Sequence, residues 1–102
     1  MNRRYKSSSI YDLCQQLTPK QAGHAAQECA AQAERYSQGV AEAAPHSRRA
    51  RGYAVMAATT RWPSEARGCA ANAALETVEC GFYSGKEDAE RIVLAILAQS
   101  GY

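Results

Sequence analysis

The chain has 102 residues, a formal net charge of +2, and 46% hydrophobic residues. It is long enough for one domain with a modest core and no more. No run of about 18 apolar residues occurs, which excludes a membrane-spanning helix, and the near-neutral charge excludes a densely acidic DNA mimic.

Twenty-one residues are alanine, against three Ile, five Leu and four Val. Ala has the best helix propensity and loses no side-chain entropy on folding. The expected fold is therefore all-α, a compact bundle of four to five helices packed through small residues. Residues 1–8 are expected to form a flexible basic arm, with Arg3, Arg4 and Lys6 as its charges, and residues 9–102 a single helical domain. No apolar stretch follows the basic start, so a secretion signal is not expected and the chain is placed in the cytoplasm.

In chain order, Ser9-x-x-Asp12 has the form of a capping box and opens a first helix over 9–17, with Ile10, Leu13, Cys14 and Leu17 at helical spacing. Thr18-Pro19, with Gln21 three residues after the threonine, resets the chain. A second helix follows from Pro19 to about Ala44. Its stripe of Ala22, Ala26, Cys29, Ala33, Tyr36, Val40 and Ala43 requires a close neighbour. Gly39 marks a bend in its last turn. Leu17 to Ala22 has the opening of a helix-turn-helix unit, but the apolar stripe continues unbroken where a short turn would be needed.

Pro45 punctuates again, and the third helix spans about His46 to Arg61, with Ala50, Tyr53, Ala54 and Ala57 on one face. Trp62-Pro63 ends it, since the residue before proline is pushed out of the helical region. The fourth helix runs about Ser64 to Cys80, and Gly81 is its expected stop. Ser84-x-x-Glu87 opens a last helix over 86–99. Its apolar arc of Ala89, Ile92, Val93, Leu94, Ile96 and Leu97 covers nearly half the circumference. Such a helix is central in the bundle or forms a homodimer seam.

No Gly-rich phosphate loop, G-x-S-x-G elbow or H-E-x-x-H is present. His24 and Glu28, four apart, read as a solvated surface pair. The four cysteines (Cys14, Cys29, Cys69, Cys80) have no C-x-x-C spacing and fall on apolar faces, where a reduced Cys acts as a small hydrophobe. A metal or redox bundle that uses the four Cys is the third reading of function. No catalytic residue, cofactor or metal site is expected, and the chain reads as a non-enzyme.

The stronger signal is basic. Residues 46–67 hold five Arg against one Glu, whereas residues 76–90 hold five acids against one Lys. Arg48, Arg49 and Arg51 crowd the start of the third helix, where cations oppose the helix dipole. Arg61, Trp62 and Arg67 flank the next turn, and an aromatic among arginines is the composition of single-strand nucleic-acid platforms. These six, with Arg3, Arg4 and Lys6, form the candidate contact set for a protein complex or single-stranded nucleic acid. The bland alternative is a solvated arginine face with a tryptophan half-packed at a turn.

In size, helicity, exposed charge and lack of a catalytic constellation the chain resembles the small anti-CRISPR proteins of phages and mobile elements. The resemblance implies an inhibitor that acts in the host bacterial cell. It would occupy a CRISPR effector complex, or the nucleic acid that complex exposes, and so block target engagement. An autonomous nucleic-acid-binding accessory regulator is the second reading.

Overall fold

The computed structural model describes residues 7–99. The basic residues Arg3, Arg4 and Lys6 lie outside them. Four helices follow in order: α1 (Ser7–Cys14), α2 (Pro19–Ser37), α3 (Ala44–Thr59) and α4 (Pro63–Ala98). A single 3-10 turn (Ala41–Ala43) links α2 to α3, and there is no strand among the described residues. The fold is an all-α bundle. No helix among these residues is long and apolar enough to cross a membrane.

The Thr18 capping box forms as its sequence predicts. Gln21 N–H donates to the Thr18 hydroxyl at 3.1 Å, and Thr18 N–H donates to Gln21 Oε1 at 2.9 Å. Gln21 is buried, and its Nε2 donates to the Ile96 carbonyl at 3.2 Å. One side chain thus satisfies an orphan donor at the start of α2 and a carbonyl in the last turn of α4. Ser9 does not cap α1. The helix begins earlier, at Ser7, and the Ser9 hydroxyl donates to Glu90 at 2.8 Å.

α2 stops at Ser37, well short of the expected Ala44. Gly39 takes a positive φ of 76°, a conformation that ends helices and that glycine adopts without steric cost. The chain can then turn through the 3-10 segment into α3.

α4 contains one non-helical residue, Phe82, with φ 54° and ψ −126°. Interhelical contacts show that the chain reverses there. Going up the N-terminal limb, Arg67 bonds the Leu17 carbonyl, Thr77 bonds the Cys29 carbonyl, and Gly81 faces the Tyr36 ring. This limb climbs alongside α2 in the same direction. Going down the C-terminal limb, Asp88 meets Gln32 and Ile96 meets Gln21. That limb runs back against α2. The two limbs form an αα-hairpin with its apex at Phe82, and α3 completes the bundle. Helical backbone resumes immediately after Phe82, so the expected break at Gly81 is displaced by one residue.

The tight reversal needs small residues. A Cβ on Gly85 would lie 2.4 Å from the Thr77 carbonyl oxygen, and one on Gly81 would lie 2.7 Å from the Tyr36 ring. The core is mainly alanine, including Ala22, Ala26, Ala33, Ala70 and Ala74. Its largest fully buried side chains are Ile10, Leu17, Val93, Thr77, Cys14 and Cys29. Backbones approach closely across such a core, and a buried hydroxyl can reach a helix carbonyl. Thr77 Oγ1 lies 2.8 Å from the Cys29 oxygen and 3.0 Å from that of Ala73.

Ala89, Val93 and Ile96 of the last limb are buried in the chain's own core, with Ile92 and Leu97 packed against it. Of the two readings of that wide apolar arc, the structure realises the central one. Only Leu94 remains as an exposed large side chain there.

Candidate partner-binding surface

The arginines of the candidate set do not form one uninterrupted positive surface. α3 contains no acidic residue, so its cations look to other helices for carboxylates. Arg49 Nε donates to Glu76 Oε2 at 3.1 Å, while the other Glu76 oxygen sits 2.6 Å from His46 Nδ1. Arg49 Nη2 also lies 2.9 Å from His46 Nδ1. That nitrogen therefore answers to the carboxylate when protonated and to the guanidinium when not. Arg51 Nη2 pairs with Glu34 on α2 at 3.0 Å, with both side chains more than half exposed. Such a pair contributes little stability, but the Glu34 carboxylate offsets the charge that Arg51 offers to an anion.

Arg67 is not a surface cation in the expected sense. It is half-buried, and its Nε donates to the Leu17 carbonyl at 2.7 Å. Leu17 lies between α1 and α2, where its carbonyl has left the α1 ladder, so Arg67 supplies the missing donor. Arg48 and Arg61 remain exposed, and neither takes part in an ion pair or hydrogen bond among the described residues. They lie near opposite ends of α3, about 20 Å apart along its axis at 1.5 Å per residue.

The exposed apolar side chains change the meaning of this surface. Trp62 is 63% exposed, Val55 59% and Met56 45%. Val55 and Met56 sit on the outward face of α3, and Trp62 occupies the N-cap position of α4. The turn between them is held by Thr60, whose hydroxyl donates to Glu65 and accepts from the Trp62 N–H. A shallow depression lined by Met56, Thr59, Thr60, Arg61, Trp62 and Glu65 results. The tryptophan is presented on a fixed corner and is not half-packed beneath the turn. Beside it, a shallow trench between α2 and α3 has Gly23, Ala54, Ala57 and Ala58 in its floor and walls.

Two aromatics escape the sequence reading. Phe82 and Tyr83 are 59% and 60% exposed at the apex of α4. The only local signal is the string Gly81-Phe82-Tyr83-Ser84-Gly85, which marks a turn without saying that its aromatics point outward.

Elsewhere the side chains are consumed by structure. His24 and Glu28 are partly exposed and 3.6 Å apart. All four cysteines are free thiols. Burial pushes the Cys14 thiol up to about 12 and Cys29 higher still. Burial likewise raises Cys69 and Cys80. Thiols shifted in that direction are poor nucleophiles and poor metal ligands at neutral pH. Among the described residues no three His, Cys, Asp or Glu side chains converge as a metal site.

The fold and surface define a small all-α bundle with an exposed Trp–Met–Arg corner. Comparison with known protein families, curated proteins and solved structures returns no match.

Proposed function

We propose that this chain is a non-enzymatic binding protein that docks a protein partner through the outward face of α3 and the Trp62 corner. The observation that carries this reading is Trp62, 63% exposed beside exposed Met56 and Val55 and next to Arg61, which has no ion pair among the described residues. Trp, Met and Arg are among the residues enriched in interface cores, and Trp and Arg are enriched among the few residues that carry most binding energy. With Arg49, Arg51 and Arg67 engaged internally, the described candidate set offers phosphate contacts from Arg48 and Arg61. Two such contacts give a salt slope of only about −2 on duplex DNA. Protein contact is therefore favoured over nucleic acid.

The resemblance to anti-CRISPR inhibitors supplies the particular form of the proposal: occupation of a multisubunit CRISPR effector complex, blocking target engagement. The test is titration of the chain into a purified effector complex, with target-DNA capture as the readout. Inhibition by the unaltered chain is expected, with Trp62→Ala weakening it at least about tenfold. Failure to bind the complex removes the inhibitor reading. Tight binding to free DNA with a salt slope much steeper than −2 would replace protein contact with nucleic-acid binding.

A further inference from the structure

We propose that the Phe82 corner docks a second copy of this chain at its Trp62 end, so that molecules associate head to tail. Three observations carry this. The first is the backbone at Phe82, whose φ of 54° lies where L side chains rarely sit. Glycine would adopt it without strain, yet the position holds a phenylalanine that is 59% exposed and followed by the exposed Tyr83. Residues held in sparsely populated backbone conformations cluster at functional sites.

The second is placement. Gly81 against Tyr36 puts the Phe82 corner at the end of α2. Thr60 lines the same trench as Pro19 and Lys20, which puts the Trp62 corner at its start. α2 has 19 residues, so the two aromatic corners lie about 28 Å apart at opposite poles of the bundle.

The third is charge. Glu79 and Glu87 flank the two aromatics, are exposed, and take part in no ion pair among the described residues. Of the nearby cations, Lys86 pairs with Glu90 at 2.9 Å and Arg91 with Asp88 at 2.6 Å, while Arg35, which donates to the neutral Gln32, keeps its charge against the two glutamates. At the Trp62 pole Arg61 and Lys20 are exposed and take part in no ion pair among the described residues; together they outnumber the Glu65 carboxylate, which accepts from Thr60 and keeps its charge. An acidic aromatic pole thus faces a basic aromatic pole when copies align end to end. Such a contact is heterologous, with one end of a molecule meeting the other end of the next. The poles are small, so association is concentration-dependent.

This inference does not rest on the proposed partner, which would compete for Trp62. The test is sedimentation velocity of the full chain over a range of concentrations, at low and high salt. The expected result is a sedimentation coefficient that rises with concentration, and less so at high salt. Phe82→Gly should weaken association at least about tenfold while raising the melting temperature, which separates lost contact from lost fold. Trp62→Ala should weaken it comparably. The decisive arm uses charge reversal: Arg61→Glu alone, and Glu79→Lys with Glu87→Lys alone, should each stay monomeric, and their mixture should associate. A chain monomeric at every concentration overturns the proposal. So does association untouched by Phe82→Gly, or a mixture that fails to associate. Effector binding retained by Phe82→Gly but lost by Trp62→Ala keeps the two proposals distinct.

Discussion

The phenol of Tyr36 donates to Asp88 Oδ2 at 2.5 Å, and Gln32 Nε2 donates to the same oxygen at 2.7 Å. Arg91 pairs with the other oxygen of that carboxylate. Tyr36 is on the last turns of α2, Asp88 is on the returning limb of α4, and the tyrosine ring covers Gly81 at the apex between the limbs. One side chain therefore latches both sides of the reversal. Tyr36→Phe keeps the ring over Gly81 and removes only the hydrogen bond to a charged acceptor. The expected loss is about 1.5–3 kcal/mol, read as a lower urea midpoint at unchanged slope. No change in midpoint would show that the latch does not hold the limb.

The same network sets the pH dependence. The Tyr36 hydrogen bond lowers the Asp88 carboxyl, aided by Arg91 and Gln32 and opposed by burial. At Glu90 burial acts upward, but Lys86 and Ser9 outweigh it and the net direction is down. Depressed carboxyls contribute stability that is present above their unfolded values, about 4, and lost as pH falls through the folded ones. Tyr36 is shifted the other way, first by burial and then by its bond to Asp88. Its contribution is present below the ordinary tyrosine value of about 10 and lost as pH rises through the raised one. Melting temperature should therefore form a plateau between these limits. Tyr36→Phe should flatten both edges, and an unchanged acid edge would count against the assignment.

Arg67 and Arg61 should behave differently although both flank the Trp62 turn. Arg67→Ala leaves the carbonyl of the buried Leu17 without its donor and should cost about 1–3 kcal/mol. Arg61→Ala removes no partner among the described residues and should stay within about 0.5 kcal/mol of the unaltered chain. Thermal melts of the two variants check this. Equal effects would return Arg67 to the open surface.

Gly85 is required by backbone and not by a movable side chain. Gly85→Ala sets a methyl 2.4 Å from the Thr77 carbonyl oxygen, so the limbs must separate. The expected cost is at least about 2 kcal/mol. Gly81→Ala meets the Tyr36 ring instead. Its cost should shrink when Tyr36 is also replaced by Ala, a coupling read from a double-mutant cycle. Additive costs would mean that the ring does not press on the apex. Phe82→Gly, between them, should stabilise by about 1 kcal/mol as the positive φ is relieved.

Helix identity and most boundaries were legible along the chain because their causes are local. Ala content, the Thr18–Gln21 capping box, Pro45 and Trp62-Pro63 each act within a turn or so of their own position. The central role of Val93 and Ile96 was legible as one of two options, because an arc near half a helix circumference must be covered by something. Gly39 was visible as a weak point, though not as the end of α2.

The candidate surface was legible only in part. Residue type and spacing placed Arg48 and Arg61 on outward positions by themselves, and left Trp62 between a contact residue and one half-packed at its turn. They could not show that Glu76 lies beside Arg49, Glu34 beside Arg51 and the Leu17 carbonyl beside Arg67, since those partners are 17 to 50 residues away in sequence. Nor could they show that α4 doubles back at Phe82, which depends on Gly85 fitting against Thr77 across the reversal. Local propensity and periodicity determine which segments coil and which face is apolar, because those depend on neighbours within a turn. Which helix lies opposite, which charges are consumed there and which aromatics are left outside depend on how several faces pack at once, and only the tertiary structure decides that.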